Sequence, residues 1–394
     1  MARARRKAPT TPVGGRSRGR KVGIVGAVVG LAAAGTAAGV AVNRVVSRRV
    51  HSELPAGASD AELRRDDPLG LASRTADRSA LVQADDGVLL SVEEIGRRNA
   101  PMTIVFVHGY TLSMASWTFQ RRTLAEELAT ANGHRPDARL VFYDHRGHGA
   151  SSRGHAGRST IEQLAADLAA VLDARVPRGP VVLVGHSMGG MTIMGLAAMH
   201  PELFGGRVVG VALISTSSGN LSDLNFGLPD LLTRVRAAVL PVAAWTMRRI
   251  PRFAEGTRRV TADLVSTVTR SLSFASTDVD PLLARYVDAM IAGTPVDVIA
   301  EFYPALAGMD HTGSLEPLRR IPTLVLTGEN DTMIPKAHSE QIVHHLGGAQ
   351  NTATEFVVVP DAGHMVLLEQ PAEVSSALTR LLRRVAELPI DTAS

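Results

Sequence analysis

The 394-residue chain contains no cysteine. That absence removes a disulfide scaffold, a cysteine nucleophile, thiolate-bound zinc and cysteine-ligated iron–sulfur clusters together. It does not fix the compartment, because a cysteine-free protein survives on either side of a membrane. The first fifty residues also lack Asp and Glu, against eleven Lys or Arg (Arg3, Arg5, Arg6, Lys7, Arg16, Arg18, Arg20, Lys21, Arg44, Arg48 and Arg49). The formal net charge of +4 therefore comes from the front of the chain, while the remainder holds 31 basic against 38 acidic residues. A mildly acidic body disfavours nucleic acid as a partner. No internal repeat is present, and low complexity is confined to the first fifty residues. What remains is ordinary globular sequence: 45% hydrophobic and 20% charged residues exclude a wholly disordered chain, a collagen or a coiled-coil rod. The length suits a single α/β domain carrying an insertion.

Residues 1–21 form a basic leader, and Val22 to Val42 are 21 consecutive uncharged residues. As a helix at about 1.5 Å per residue they would reach ~30 Å, the thickness of a bilayer's hydrocarbon core. Eight positive charges precede the segment and three follow it, so the positive-inside bias puts 1–21 in the cytoplasm and the body on the outer side. The rival reading is a cleaved signal peptide and a secreted body, with Ala32-Ala33-Ala34 offering an A-x-A site. The long apolar run and the 21-residue lead favour an uncleaved single-pass anchor. Residues 43–79 then read as a linker.

From about residue 80, short β-branched runs alternate with longer Ala/Leu-rich stretches, which predicts a mostly parallel sheet with helices on both faces. Leu81 to Ala84 and Val88 to Glu93 flank Asp85-Asp86-Gly87, a hairpin turn signal. Thr103 to Val107, Leu140 to Tyr143, Val181 to Val184 and Val208 to Ile214 are continuous apolar runs suited to strands buried on both faces. Helical patterns cover Trp117 to Ala129, Thr160 to Leu172 and Met188 to Met199. Strands Thr323 to Leu326 and Phe356 to Val359 and a helix from about Ala372 to Glu387 complete the order. Residues 222–312 interrupt it with helical, basic and apolar sequence, read as a lid between core segments 80–221 and 313–388, with 389–394 a tail.

Gly185-His186-Ser187-Met188-Gly189 follows a strand and precedes a helix, the context a G-x-S-x-G nucleophile elbow requires. Larger side chains two residues either side of the serine would collide, and the helix that follows favours negative charge at its start. A serine hydroxyl needs a base, and the base needs an orienting carboxylate. Thr327-Gly328-Glu329-Asn330-Asp331 and Asp361-Ala362-Gly363-His364 end the two late strands, on the carboxyl edge where Ser187 also emerges. Asp331 is the candidate acid, with Glu329 its rival in the same loop, and His364 is the candidate base.

With His108-Gly109 and Asp144-x-Arg146-Gly147-His148-Gly149-x-Ser151, these motifs make residues 80–388 resemble the α/β-hydrolase family, in its serine-esterase and monoacylglycerol-lipase-like branch. The resemblance implies an acyl-enzyme mechanism on carboxylic esters without cofactor. It places the backbone N–H groups of Tyr110 and Met188 around the oxyanion, leaves His108 orienting its loop, and makes the Asp144 loop the rim of the site. Ser187 stands where epoxide hydrolases and dehalogenases carry Asp. Acyltransferases, carbon–carbon bond hydrolases and cofactor-free haloperoxidases share the serine triad and remain alternatives, as does a non-catalytic binding protein on the same fold.

Within 227–260, seven Arg and two acidic residues are interleaved with Leu231, Leu232, Val235, Trp245, Ile250 and Phe253. A basic amphipathic lid of this kind suits an anionic membrane surface or a lipid ester, and equally a solvated cap over the site. No metal site is expected, His338, His344 and His345 reading as a solvated helix face.

Overall fold

The computed structural model describes residues 69–71, 76–129, 138–221, 273–276 and 279–387. The leader, the apolar segment Val22 to Val42, most of the linker, the basic stretch 227–260 and the tail lie outside the described residues. In chain order the body runs β1 (Arg78–Gln83), β2 (Leu89–Ile95), β3 (Met102–Val107), α1 (Thr118–Ala129), β4 (Ala138–Tyr143), α2 (Ile161–Arg175), β5 (Val181–His186), α3 (Met188–Met199) and β6 (Val208–Ile214). The insertion contributes α4 (Pro281–Gly293) and α5 (Val296–Ala307), and no strand among its described residues. The chain then returns through β7 (Thr323–Gly328), α6 (Lys336–His345), β8 (Thr354–Val359), a single turn α7 (Val366–Glu369) and α8 (Pro371–Ala386).

The eight strands form one sheet in the order β1-β2-β4-β3-β5-β6-β7-β8. β1, β2 and β4 pair antiparallel, and every pair from β4 to β8 is parallel. All residues of β3 to β7 are buried, as continuous apolar runs require, whereas β2 alternates buried and accessible positions toward the sheet's edge. Successive strand residues face opposite layers. Val105 and Val107 join Leu183 against α2 and α3, while Ile104 and Phe106 join Val182 and Val184 against α1 and α8. Each fully buried Val or Leu of these layers contributes ~1.5–3 kcal/mol.

Boundaries differ from the sequence pattern where caps decide them. Thr160 is the N-cap of α2, its hydroxyl accepting the Gln163 N–H, and the helix runs on to Arg175 rather than ending at Leu172. Trp117 closes a 3₁₀ turn ahead of α1 instead of opening the helix. The topology also locates a crevice. The chain leaves β3 for β4 on one side and returns to β5 on the other, so the segments following β3 and β5 part company at the carboxyl edge, where open α/β sheets bind ligands.

Candidate active site

β5 ends in the turn at that crevice. Ser187 has φ 53° and ψ −119°, a left-handed conformation that costs a non-glycine residue roughly 1–3 kcal/mol. Its surroundings over-determine it. The Ser187 N–H donates to the Ile214 carbonyl at 2.9 Å, and its own carbonyl accepts the Thr216 hydroxyl at 2.7 Å and the Gly190 N–H at 2.9 Å. A Cβ on Gly189 would stand 2.1 Å from the Val107 carbonyl oxygen, and one on Gly185 would stand 2.6 Å from Gly189, so neither position admits a side chain. α3 starts directly afterwards with no side-chain cap, leaving the N–H of its first residue, Met188, without an acceptor inside the helix.

His364, in the loop after β8, donates from Nδ1 to Oδ2 of Asp331 at 2.9 Å, and both side chains are buried. The other oxygen of Asp331 accepts the N–H groups of Met333 at 2.9 Å and Ile334 at 2.8 Å. A proton on Nδ1 leaves Nε2 of His364 as the free basic nitrogen. The His364 carbonyl accepts from Nε2 of His186, the residue before Ser187, at 2.9 Å, which ties the histidine loop to the serine turn. Glu329, the rival acid, is exposed, and among the described residues its bond is the backbone one to Val359. The structure therefore brings Asp331 and His364 together and leaves Glu329 outside.

The segment after β3 closes the other side. Gly109 packs so tightly that a Cβ there would lie 3.2 Å from the Ser187 Cβ, which holds the Tyr110 segment close to the serine. His108 accepts the His145 N–H on Nε2 at 3.0 Å, so its proton sits on Nδ1 and goes to the Gly109 carbonyl at 2.8 Å. Complete burial pushes its pKa down to about 4 and keeps it neutral. With both nitrogens committed to backbone, His108 orients the loop, as expected.

The Asp144 loop is held by bonds to its own carboxylate. Asp144 accepts the Met114 N–H at 2.7 Å on one oxygen and the Ala150 N–H at 2.8 Å on the other. Arg146 makes two bonds of 2.7 Å to Asp167 on α2 and two, at 2.7 and 3.2 Å, to Asp86 in the hairpin turn. Hydrogen bonding to Arg146 holds Asp86 below the usual carboxylate range, whereas burial pushes Asp167 up despite the same partner. The sequence reading missed this triad. A single acidic residue on the apolar face of α2 was the available signal.

Contacts from the insertion were also missed. The Tyr110 hydroxyl donates to the Ile299 carbonyl on α5, the Thr294 hydroxyl to the Thr111 carbonyl at 3.1 Å, and the Tyr286 hydroxyl to the Ala115 carbonyl at 2.8 Å. These three bonds fasten the segment after β3 to α4 and α5. His338 corrects an expectation: it is half-buried on α6, with Nδ1 2.8 Å from the Ser217 hydroxyl, and not part of a solvated face. Among the described residues no group of three or more His, Asp or Glu is placed to hold a metal ion, and no helix is long and apolar enough to cross a membrane.

Residues 104–377 match the alpha/beta hydrolase family. The mouse protein named sn-1-specific diacylglycerol lipase ABHD11 is 27% identical over 283 residues, covering 71% of this chain and 80% of its own length. Among solved structures, a thermophilic esterase from Thermogutta terrifontis superposes with a TM-score of 0.58 at 24% identity, over 78% of this chain and 99% of that one. An esterase from Exiguobacterium antarcticum gives 0.60 at 19% identity, over 78% and 100%.

Proposed function

The chain belongs to the alpha/beta hydrolase family, and from that premise we propose that it is a serine hydrolase cleaving carboxylic esters through an acyl-enzyme. The observation that carries this reading is the buried Asp331–His364 contact in a loop bonded to His186, next to the strained Ser187. Ser187 Oγ attacks the ester carbonyl and His364 Nε2 takes its proton. Asp331 holds the imidazole in the tautomer that permits this and stabilises the imidazolium that results. The N–H groups of Tyr110 and Met188 receive the oxyanion, stabilisation worth several kcal/mol in a dry site. His364 then returns the proton to the leaving alcohol, and a water deprotonated by the same imidazole releases the acid.

The substrate proposed is an acyl or lipid ester. Three features support it: the basic amphipathic stretch 227–260, read as a lid, the apolar segment Val22 to Val42, read as an anchor holding the body on the outer side of a membrane, and the lipase name of the mouse relative. Hydrolysis of p-nitrophenyl esters from short to long acyl chains, paired with fluorophosphonate labelling, tests the proposal. Labelling at Ser187 with turnover supports it. Absence of both, in folded protein, overturns it. Release of glyceryl ester in place of free acid when glycerol is added would assign acyl transfer instead.

A further inference from the structure

The loop that carries His364 is held at every residue from 362 to 365. The Ala362 carbonyl accepts the Asn330 N–H of the acid loop at 2.9 Å, the His364 carbonyl is held by His186, and the Met365 N–H donates to the Ser273 carbonyl at 2.8 Å. Gly363 is held differently, by a side chain. Glu369, at the end of α7, accepts the Gly363 N–H on Oε1 and the Ala275 N–H on Oε2, both at 2.8 Å. One carboxylate thus bridges the residue before His364 and the part of the insertion that precedes α4.

The two backbones it joins are in contact. A Cβ on Gly363 would lie 2.5 Å from the Ala275 nitrogen and 2.6 Å from the Phe274 carbonyl carbon, so only glycine allows the approach. Burial raises the pKa of Glu369, and its two N–H bonds oppose that rise. The charge of Glu369 also interacts with those of Asp331 and His364. A half-buried carboxylate with both oxygens committed to backbone N–H groups is costly to desolvate, and a surface helix end does not require one.

We propose that Glu369 is a positioning residue for His364: by bridging the N–H groups of Gly363 and Ala275 it fixes the reach of the imidazole toward Ser187 and makes that reach depend on the insertion. The inference rests on the reading of His364 as the base. It predicts a loss in the chemical step rather than in folding or substrate binding. Glu369→Gln retains one acceptor oxygen and turns an amide NH₂ toward the second N–H, so one of the two tethers breaks. Glu369→Asp keeps the charge and lacks the reach to span both.

The test is active-site titration of the parent and both variants with a fluorophosphonate, followed by kcat and KM for a p-nitrophenyl ester, expressed per titrated site. Misplacing a catalytic group by a fraction of an ångström is expected to lower kcat per site by roughly tenfold to a hundredfold. KM should stay within about threefold of the parent. A residue that only stabilised the fold would lower the number of titratable sites and leave kcat per site alone. That pattern, in whichever variant folds, overturns the inference. A parent inert to both probes overturns the hydrolase reading itself, which separates the two failures.

Discussion

Oδ2 of Asp331 meets Nδ1 of His364 at 2.9 Å while Oδ1 of the same carboxylate receives two backbone N–H groups, from Met333 and Ile334. The two N–H bonds prevent the carboxylate from rotating. An amide that keeps its oxygen on those two N–H groups turns its NH₂ toward His364 and can no longer accept the Nδ1 proton.

Asp331→Asn should therefore lower kcat by about 10²–10⁴-fold, since an amide NH₂ facing His364 favours the wrong tautomer. Exposed Glu329→Gln should stay close to the parent. Steady-state kinetics on one ester ranks the two, and the reverse ranking would transfer the role of acid to Glu329.

At Ser187 the strained backbone predicts opposite effects on stability and activity. Ser187→Gly relieves a φ of 53° and should stabilise the fold by ~1 kcal/mol while abolishing turnover. Urea unfolding beside an esterase assay reads both. A less stable Ser187→Gly would show that the turn is not strained as its dihedrals imply.

The buried histidines predict how stability varies with pH. Burial lowers His108 from 6.5 to about 4 and His148 to about 3. Unfolded chains take up protons as pH falls below about 6.5, while the folded histidines remain neutral, so the unfolded state binds more protons and stability falls with pH. The contribution is complete above pH 6.5 and is lost progressively down to about 4 and 3. At about 1.4 kcal/mol per pK step, the loss reaches several kcal/mol. Urea midpoints between pH 7.5 and 4.5 should drop steeply for the parent and less so for His148→Asn, and equal slopes would contradict the assignment.

Arg146 stands between two carboxylates, one of them fully buried. Arg146→Met should destabilise by about 3–5 kcal/mol because it strands Asp167 without a counter-charge. Adding Asp167→Leu should recover much of the loss. Denaturant unfolding of the single and double variants measures the coupling, and strict additivity would count against it.

The proposed anchor has its own test. If Val22 to Val42 stays attached, the protein should resist carbonate and high-salt washes, and its body should be digested by protease added to intact spheroplasts. Amino-terminal sequencing giving a start near residue 35 would instead mean a cleaved signal peptide.

The sheet was legible because its central strands are uninterrupted apolar runs, and Ser187 because glycines two residues either side leave little else that such a turn can be. The sequence named Asp331 ahead of Glu329 but could not set Glu329 aside, since both carboxylates share one loop and burial with the bond to His364 separates them. Asp167 and Arg146 are 21 positions apart and meet through the packing of α2 on the sheet, which periodicity does not report. Glu369 escaped notice for the same reason, its second partner lying 94 positions earlier.

The bonds from Tyr286, Thr294 and Ile299 to the segment Tyr110–Ala115 bear on how such an enzyme diversifies. If Tyr110 supplies an oxyanion donor as proposed, α4 and α5 buttress it, and exchanging them for another substrate would disturb that donor as well. On that reading selectivity and turnover are not independent traits. A graft of α4 and α5 from a relative should carry its preference across only when residues 110–115 travel with it, and substitutions in those two stretches should be inherited as a set.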